Sequence, residues 1–301
     1  MANYLKQTTS PTQRLRSIGA ERAAREAPKR IVRQHIDIDV QAELETIVQI
    51  ARGICPNFVI DEANRFAITQ ALRWLFGQPF KALDPKTRKW TDGDPHKGLY
   101  IEGKTGTGKS VLLRLLNLLA MHLGANYYYG TPDHSGGYVY HALADKLHPD
   151  NRDVEWEGAG KTALLCLCSD ITDAFTHGAR LEEYKRVGVL MLQDLGAEPL
   201  QSLYMGNRMG VLEQILCARG DEEGLMTLLT SNIRLYIPPE AKRTGHGEPM
   251  SDVADLYGER VQDRLFAMCN LIPIPGESRR GAPPPPQGEK ISSNGAKNQF
   301  Q

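Results

Sequence analysis

The spacing of apolar and polar residues changes several times along the chain, and each change marks an element. Ile38, Val40, Leu44, Ile47, Val48, Ile50 and Ala51 recur near a 3.6-residue period, which predicts a helix over 38–54 broken by Cys55-Pro56-Asn57. A second helix is predicted over 61–76, with Asp61 as N-cap and Gly77 just past its end. Residues 78–97 are polar and contain proline, so they read as a loop. Leu99-Tyr100-Ile101 is a short apolar run that leads through a glycine-rich turn into the nearly unbroken apolar segment 111–120, a strand followed by a buried helix.

Beyond Gly124 the pattern weakens. Residues 125–161 read as an insertion with Tyr127, Tyr128, Tyr129, Tyr138 and Tyr140, either packed in a hairpin or offering stacking surfaces for single-stranded bases. Regular elements then return. Strands are predicted over 162–168, 187–192 and 225–230, and the last two are continuously apolar, as strands buried on both faces are. Helices are predicted over 170–177 (capped by Ser169 or Asp170), 181–186, 203–218 and 253–268, and an edge strand over 270–273. From Gly276 the chain is rich in Pro, Gly, Ser and Asn and reads as a disordered tail. Strands alternating with helices define an α/β chain with a parallel sheet and helices on both faces, preceded by a small helical N-terminal region. Three segments are expected: a basic, partly disordered and helical region over 1–60, a core over 61–280, and a disordered tail over 281–301.

Composition adds three constraints. The 301 residues carry zero formal net charge, yet residues 1–35 hold eight Lys/Arg against two Glu, a surplus of six. Such a basic arm suits an acidic partner or nucleic acid, and equally a solvated tail. The five cysteines are scattered, and Cys166-Leu-Cys168 has the wrong spacing for a zinc knuckle, which fits a reducing cytoplasm. No secretory apolar segment is visible at the N-terminus. The greasiest stretch, 111–123, is interrupted by Arg114, Asn117 and His122 and is too short for a bilayer, so no membrane role is expected.

The chemistry is concentrated in Gly103-Lys-Thr-Gly-Thr-Gly108-Lys109-Ser110, the P-loop spacing G-x-x-x-x-G-K-[ST] set between a strand and a helix. A triphosphate needs backbone N–H groups pointing inward without side chains in the way. Gly103, Gly106 and Gly108, with Thr105 and Thr107 between them, meet that need. Lys109 is expected on the β- and γ-phosphates of ATP and Ser110 on Mg²⁺. Two polar clusters follow later strands: Gln193-Asp194 with Glu198 a little further on, and Ser231-Asn232. Ligands of such sheets bind at the carboxyl ends of strands, so these clusters should converge on the P-loop. Arg260 and Arg264 are four apart on one predicted helix face.

Taken together, the P-loop, Gln193-Asp194-Leu195-Gly196, Thr230-Ser231-Asn232 and Tyr257-Gly-Glu-Arg260-Val-Gln-Asp-Arg264-Leu265 resemble the AAA+ ATPases of the DnaC-type helicase loader and IstB-type transposition helper group. The resemblance covers about 99–280. It implies an AAA+ P-loop NTPase fold without a lid domain, ATP and Mg²⁺ as ligands, and ATP hydrolysis. It implies that Asp194 is the second acid of the Walker B strand and a metal residue, Asn232 a sensor, Arg264 (or Arg260) a finger for a neighbouring subunit, and Arg279 or Arg280 a second sensor. Phe175, Ser202 and Tyr204 match positions near the pore that hold single-stranded DNA. Gln193 stands where the family has its first acid, which implies weak metal binding and slow hydrolysis. The implied function is a replicative helicase loader that assembles into a ring or spiral on single-stranded DNA. A transposition helper on duplex DNA and a hydrolysis-poor ATP-binding scaffold are the alternatives.

Overall fold

A computed structural model describes residues 30–33, 35–123, 127–132, 138–142, 164–204, 207–222, 225–243 and 251–280. The basic arm up to residue 29, residues 143–161 of the insertion and the tail over 281–301 lie outside the described residues.

The polar clusters are carried on a seven-stranded sheet. Its parallel strands are β4 (Gly98–Glu102), β7 (Leu164–Leu167), β8 (Val189–Leu195), β11 (Met226–Ser231) and β12 (Cys269–Pro273). An antiparallel hairpin, β2 (Lys81–Leu83) and β3 (Trp90–Asp92), extends the sheet beyond β12. The order is β3-β2-β12-β4-β11-β8-β7, so the strand leading into the P-loop has later strands on both sides.

Successive residues of the parallel strands point to opposite faces. Leu99, Ile101, Val189, Met191, Leu228 and Ile272 enter one core with helices α1 (Leu44–Ile54), α2 (Glu62–Leu75) and α3 (Lys109–Leu123). Tyr100, Leu190, Leu192, Leu229 and Leu271 enter the other, with α4 (Cys168–Thr176), α6 (Val211–Asp221), α8 (Val253–Tyr257) and α9 (Glu259–Met268). Two short helices, α5 (Glu182–Arg186) and α7 (Pro239–Arg243), complete the set among the described residues. Burial of both sheet faces explains the unbroken apolar runs of β8 and β11. The strand order with the P-loop after β4 is that of a P-loop NTPase with a parallel sheet and helices on both faces.

Several predicted elements are corrected. The helix expected from residue 38 starts at Leu44, because Asp39 folds the preceding residues into a turn, its Oδ1 accepting from the Gln41 and Ala42 N–H groups. Val40, Leu44, Ile47, Val48 and Ala51 pack into the same core as α2 and α3. The expected loop over 78–97 contains the β2–β3 hairpin, whose three-residue strands are too short to reveal a period. The single helix expected over 203–218 is a second hairpin, β9 (Ser202–Tyr204) with β10 (Asn207–Met209), followed by α6. Gly206 and Gly210 weaken a helix there by about 1 kcal/mol each relative to Ala. The helix over 253–268 breaks at Gly258, which adopts φ 86°, ψ 159°. Helix α4 starts at Cys168 with Leu167 as N-cap, so neither Ser169 nor Asp170 caps it. Strand β12 is interior rather than an edge, pairing with β4 on one side and β2 on the other.

Part of the insertion is described. Strands β5 (Tyr127–Pro132) and β6 (Tyr138–Ala142) form an antiparallel hairpin, and β1 (Arg30–Arg33) pairs with β5 in register Arg30 opposite Gly130. The Asp61 expectation holds in full: its side chain accepts from the Ala63 and Asn64 N–H groups, and Asn64 returns a bond to the Asp61 N–H.

Candidate functional site

The P-loop joins the end of β4 to the start of α3. Gly106 and Gly108 have φ of 82° and 96°, in the left-handed region that only glycine enters without cost. Next to it, β8 and β11 lose register: Leu192 lies opposite Leu229, but Leu195 lies opposite Ser231. Gln193 and Asp194 therefore share the space of one residue, a bulge that re-aims a side chain. Asp194 is left-handed, with φ 59°, a conformation that Asp tolerates better than most side chains. Its N–H donates to Thr230 Oγ1 at 3.0 Å, and its carboxylate turns toward the P-loop, where Oδ1 accepts from Ser110 Oγ at 3.2 Å.

Lys109 is buried at 4% exposure, with Nζ donating to the Lys104 carbonyl at 2.8 Å and to Asn232 Oδ1 at 2.7 Å. Burial pulls its pKa below the usual lysine range. The Asp194 charge works against that shift, and Arg280 reinforces it.

The segment after β12, expected to be disordered from Gly276, runs across the P-loop. Arg279 N–H donates to the Gly106 carbonyl, Arg279 Nη1 to the Thr107 carbonyl, and Nη2 pairs with Asp61 at 2.6 Å. Arg279 is thus spent on holding the P-loop to the cap of α2, while Arg280 lies exposed on the cavity wall.

These groups line one cavity of about 460 Å³, within the size range of small-molecule sites. Thr105, Gly106, Thr107, Gly108, Lys109, Ser110, Asp194 and Asn232, all expected from the sequence, lie on it, and Gly103 stands just before them at the strand end. The sequence reading missed the opposite wall: Cys55, Asn57, Phe58 and Val59. The Cys55-Pro56-Asn57 break was its only signal, legible as a helix stop but not as a wall. That loop is fixed by Phe58 N–H on the Cys55 carbonyl and Asn64 Nδ2 on the Val59 carbonyl, both at 2.9 Å.

Other candidates lie elsewhere. Gln193 is buried and does not line the cavity. Glu198 is also buried. It accepts from the Gly196 N–H and, in a short contact, from the Tyr257 hydroxyl, whose pKa is driven up by burial and by that carboxylate. Arg260 and Arg264 are outside the cavity of their own chain and pair with Asp221. Phe175 and Ser202 are buried, at 7% and 5% exposure, and Tyr204 ends β9.

Ser110 Oγ and Asp194 Oδ1 form a hard-oxygen pair of the kind that holds Mg²⁺ beside substrate phosphates, so the residues present fit that ion. No group of three or more His, Cys, Asp or Glu suited to an all-protein metal site exists among the described residues.

The sheet order, the P-loop and the residues gathered beside it define a P-loop NTPase fold. No family model matches the chain, and no curated protein matches it. Among solved structures, the DnaC helicase loader is similar at 17% identity and a TM-score of 0.35, over 60% of this chain and 78% of that one. Domain III of the Thermotoga maritima replication initiation protein DnaA is similar at 16% identity and a TM-score of 0.38, over 72% of this chain and 65% of that one. AMPPCP-bound DnaA from Aquifex aeolicus is similar at 16% identity and a TM-score of 0.37, over 74% of this chain and 49% of that one. The fold assignment rests on the strand order and the P-loop rather than on these likenesses. No described helix is long and apolar enough to cross a membrane.

Proposed function

We propose that this chain is an ATPase that uses ATP as an assembly switch in DNA replication, as a loader of the replicative helicase. The observation that carries the ATP reading is the convergence of Lys109, Ser110, Asp194, Asn232 and Arg280 on one cavity. Lys109 exchanges its Asn232 contact for β- and γ-phosphate oxygens, and Arg280 adds a second cation at the mouth. Asn232, once released, orients a water near the γ-phosphate. Ser110 and Asp194 would hold Mg²⁺, which supplies neutralisation of the phosphate charge. Cys55, Asn57, Phe58 and Val59 are left to face the base.

Turnover is slow in this reading. Among the described residues Asp194 is the single carboxylate on the cavity wall, and holding Mg²⁺ would take it out of service as a base. Glu198, the remaining acid near the strand end, is bonded to Tyr257 and Gly196. ATP therefore acts mainly by being bound, bridging Lys109 of one chain and Arg264 of the next in a ring or spiral. The loader role is supported by the resemblance of 257–265 to helicase loaders. Single-stranded DNA remains the expected pore ligand, but Phe175 and Ser202 are left out of direct contact because both are buried.

ATP titration with Mg²⁺ tests the site. Lys109→Ala is expected to weaken binding about 10- to 150-fold, the loss of charged hydrogen bonds of about 1.5–3 kcal/mol. Unchanged affinity would overturn the assignment. Capture of the replicative helicase, with and without ATP and with residues 1–29 removed, tests the role. ATP-sensitive capture is expected, whereas capture of a transposase on duplex DNA instead would replace the loader with the transposition helper.

A further inference from the structure

Arg264 is held in a way that an incidental surface arginine is not. Its Nε donates to Asp221 Oδ1 at 2.7 Å, Nη2 approaches the same oxygen at 2.7 Å, and Nη1 donates to Asp263 Oδ2 at 3.1 Å. Arg260 Nη2 takes the other Asp221 oxygen, Oδ2, at 3.1 Å. The aliphatic stem lies in a trough at Gly220, where an added Cβ would fall 2.6–2.7 Å from Arg264 Cβ, Cγ and Cδ. Glycine is among the worst residues for the interior of a helix, yet it occupies the last turn of α6 at this point.

We propose that Asp221, with the Gly220 trough, is a positioning residue that fixes the Arg264 guanidinium at the surface for the γ-phosphate bound by a neighbouring chain. This rests on the reading of Arg264 as the finger. A free arginine stem loses much rotamer entropy when it docks, and a side chain already ordered by Asp221 has lost it before docking. Each terminal nitrogen carries two hydrogens, so the contacts above leave N–H groups for an incoming phosphate oxygen. Ion pairing holds the Asp221 carboxyl below its usual range through its bond to Arg264, and raises Arg264 in turn.

The test measures ATP-driven assembly and steady-state turnover for the full chain and for Asp221→Asn, Arg264→Ala and the double variant. Asp221→Asn is expected to leave ATP affinity of the isolated chain unchanged and to lower kcat of the assembly at least tenfold. The double variant should be no worse than Arg264→Ala. Mixing Asp221→Asn chains with Lys109→Ala chains should restore turnover, because the latter supply a sound finger to intact nucleotide sites. A defect confined to the fold of one chain would not be rescued in this way. If Arg264→Ala loses assembly while Asp221→Asn keeps wild-type or higher turnover, or if the two losses multiply, the positioning role is overturned and the finger stands. If Arg264→Ala changes nothing, both fall.

Discussion

At the scale of single residues, the bulge in β8 decides which acid serves the site. Resemblance alone puts the first Walker B acid at position 193, occupied by Gln, and so implies weak metal binding with Asp194 in the metal role. The extra residue between Leu192 and Leu195 turns Asp194, not Gln193, toward Ser110. Two substitutions separate these accounts. Asp194→Asn is expected to abolish the increment that Mg²⁺ adds to ATP affinity, seen by titration with and without EDTA. Gln193→Asp is expected to add nothing to that increment and to lower Tm, because position 193 is 4% exposed and a carboxylate there lacks solvent. A Gln193→Asp chain with stronger Mg²⁺ dependence would show that position 193 reaches the metal after all.

At the scale of elements, legibility followed period and length. Long apolar helices such as α2 and α3, and strands buried on both faces such as β8 and β11, declare themselves through uninterrupted patterns. The P-loop is legible because its chemistry lies in four specified residues, Gly103, Gly108, Lys109 and Ser110, at fixed spacing within eight. The β2–β3 and β9–β10 hairpins are not, since three residues hold barely one alternation. The cavity wall at 55–59 is invisible because ordinary residues gain their role only from the fold bringing them beside Gly108. Glycines give mixed signals: Gly77 falls where a helix is expected to end, while Gly258 falls inside a stretch whose pattern reads as one helix. Gly258 has φ 86° and ψ 159°, a region that is essentially closed to other residues, and no atom lies within 4 Å of where a Cβ would sit. Gly258→Ala is therefore a purely conformational test. It is expected to cost about 1–3 kcal/mol, read as a lower denaturation midpoint with an unchanged slope. A neutral result would show that α8 and α9 can join into one helix.

At the scale of the whole molecule, the chain behind β12 completes the site begun at β4. Arg279 binds two P-loop carbonyls and Asp61, and Arg280 faces the cavity. Their roles should separate. Arg280→Ala is expected to weaken ATP binding about tenfold or more at unchanged Tm, since its partner is the ligand. Arg279→Ala is expected to lower Tm as well, since its partners are parts of the fold. Equal effects of the two on Tm would refute that division.

The position of β4 between β11 and β12 also sets a timetable for biosynthesis. Both strands that flank Leu99–Ile101 are translated more than 120 residues after it, and Arg279 later still. A nascent chain that already displays the complete P-loop sequence therefore has no paired strand to support it. The capacity to hold ATP arrives late and abruptly, as the final strand inserts. Until then the apolar β4 segment is an unpaired edge, the state in which chaperones would meet this chain.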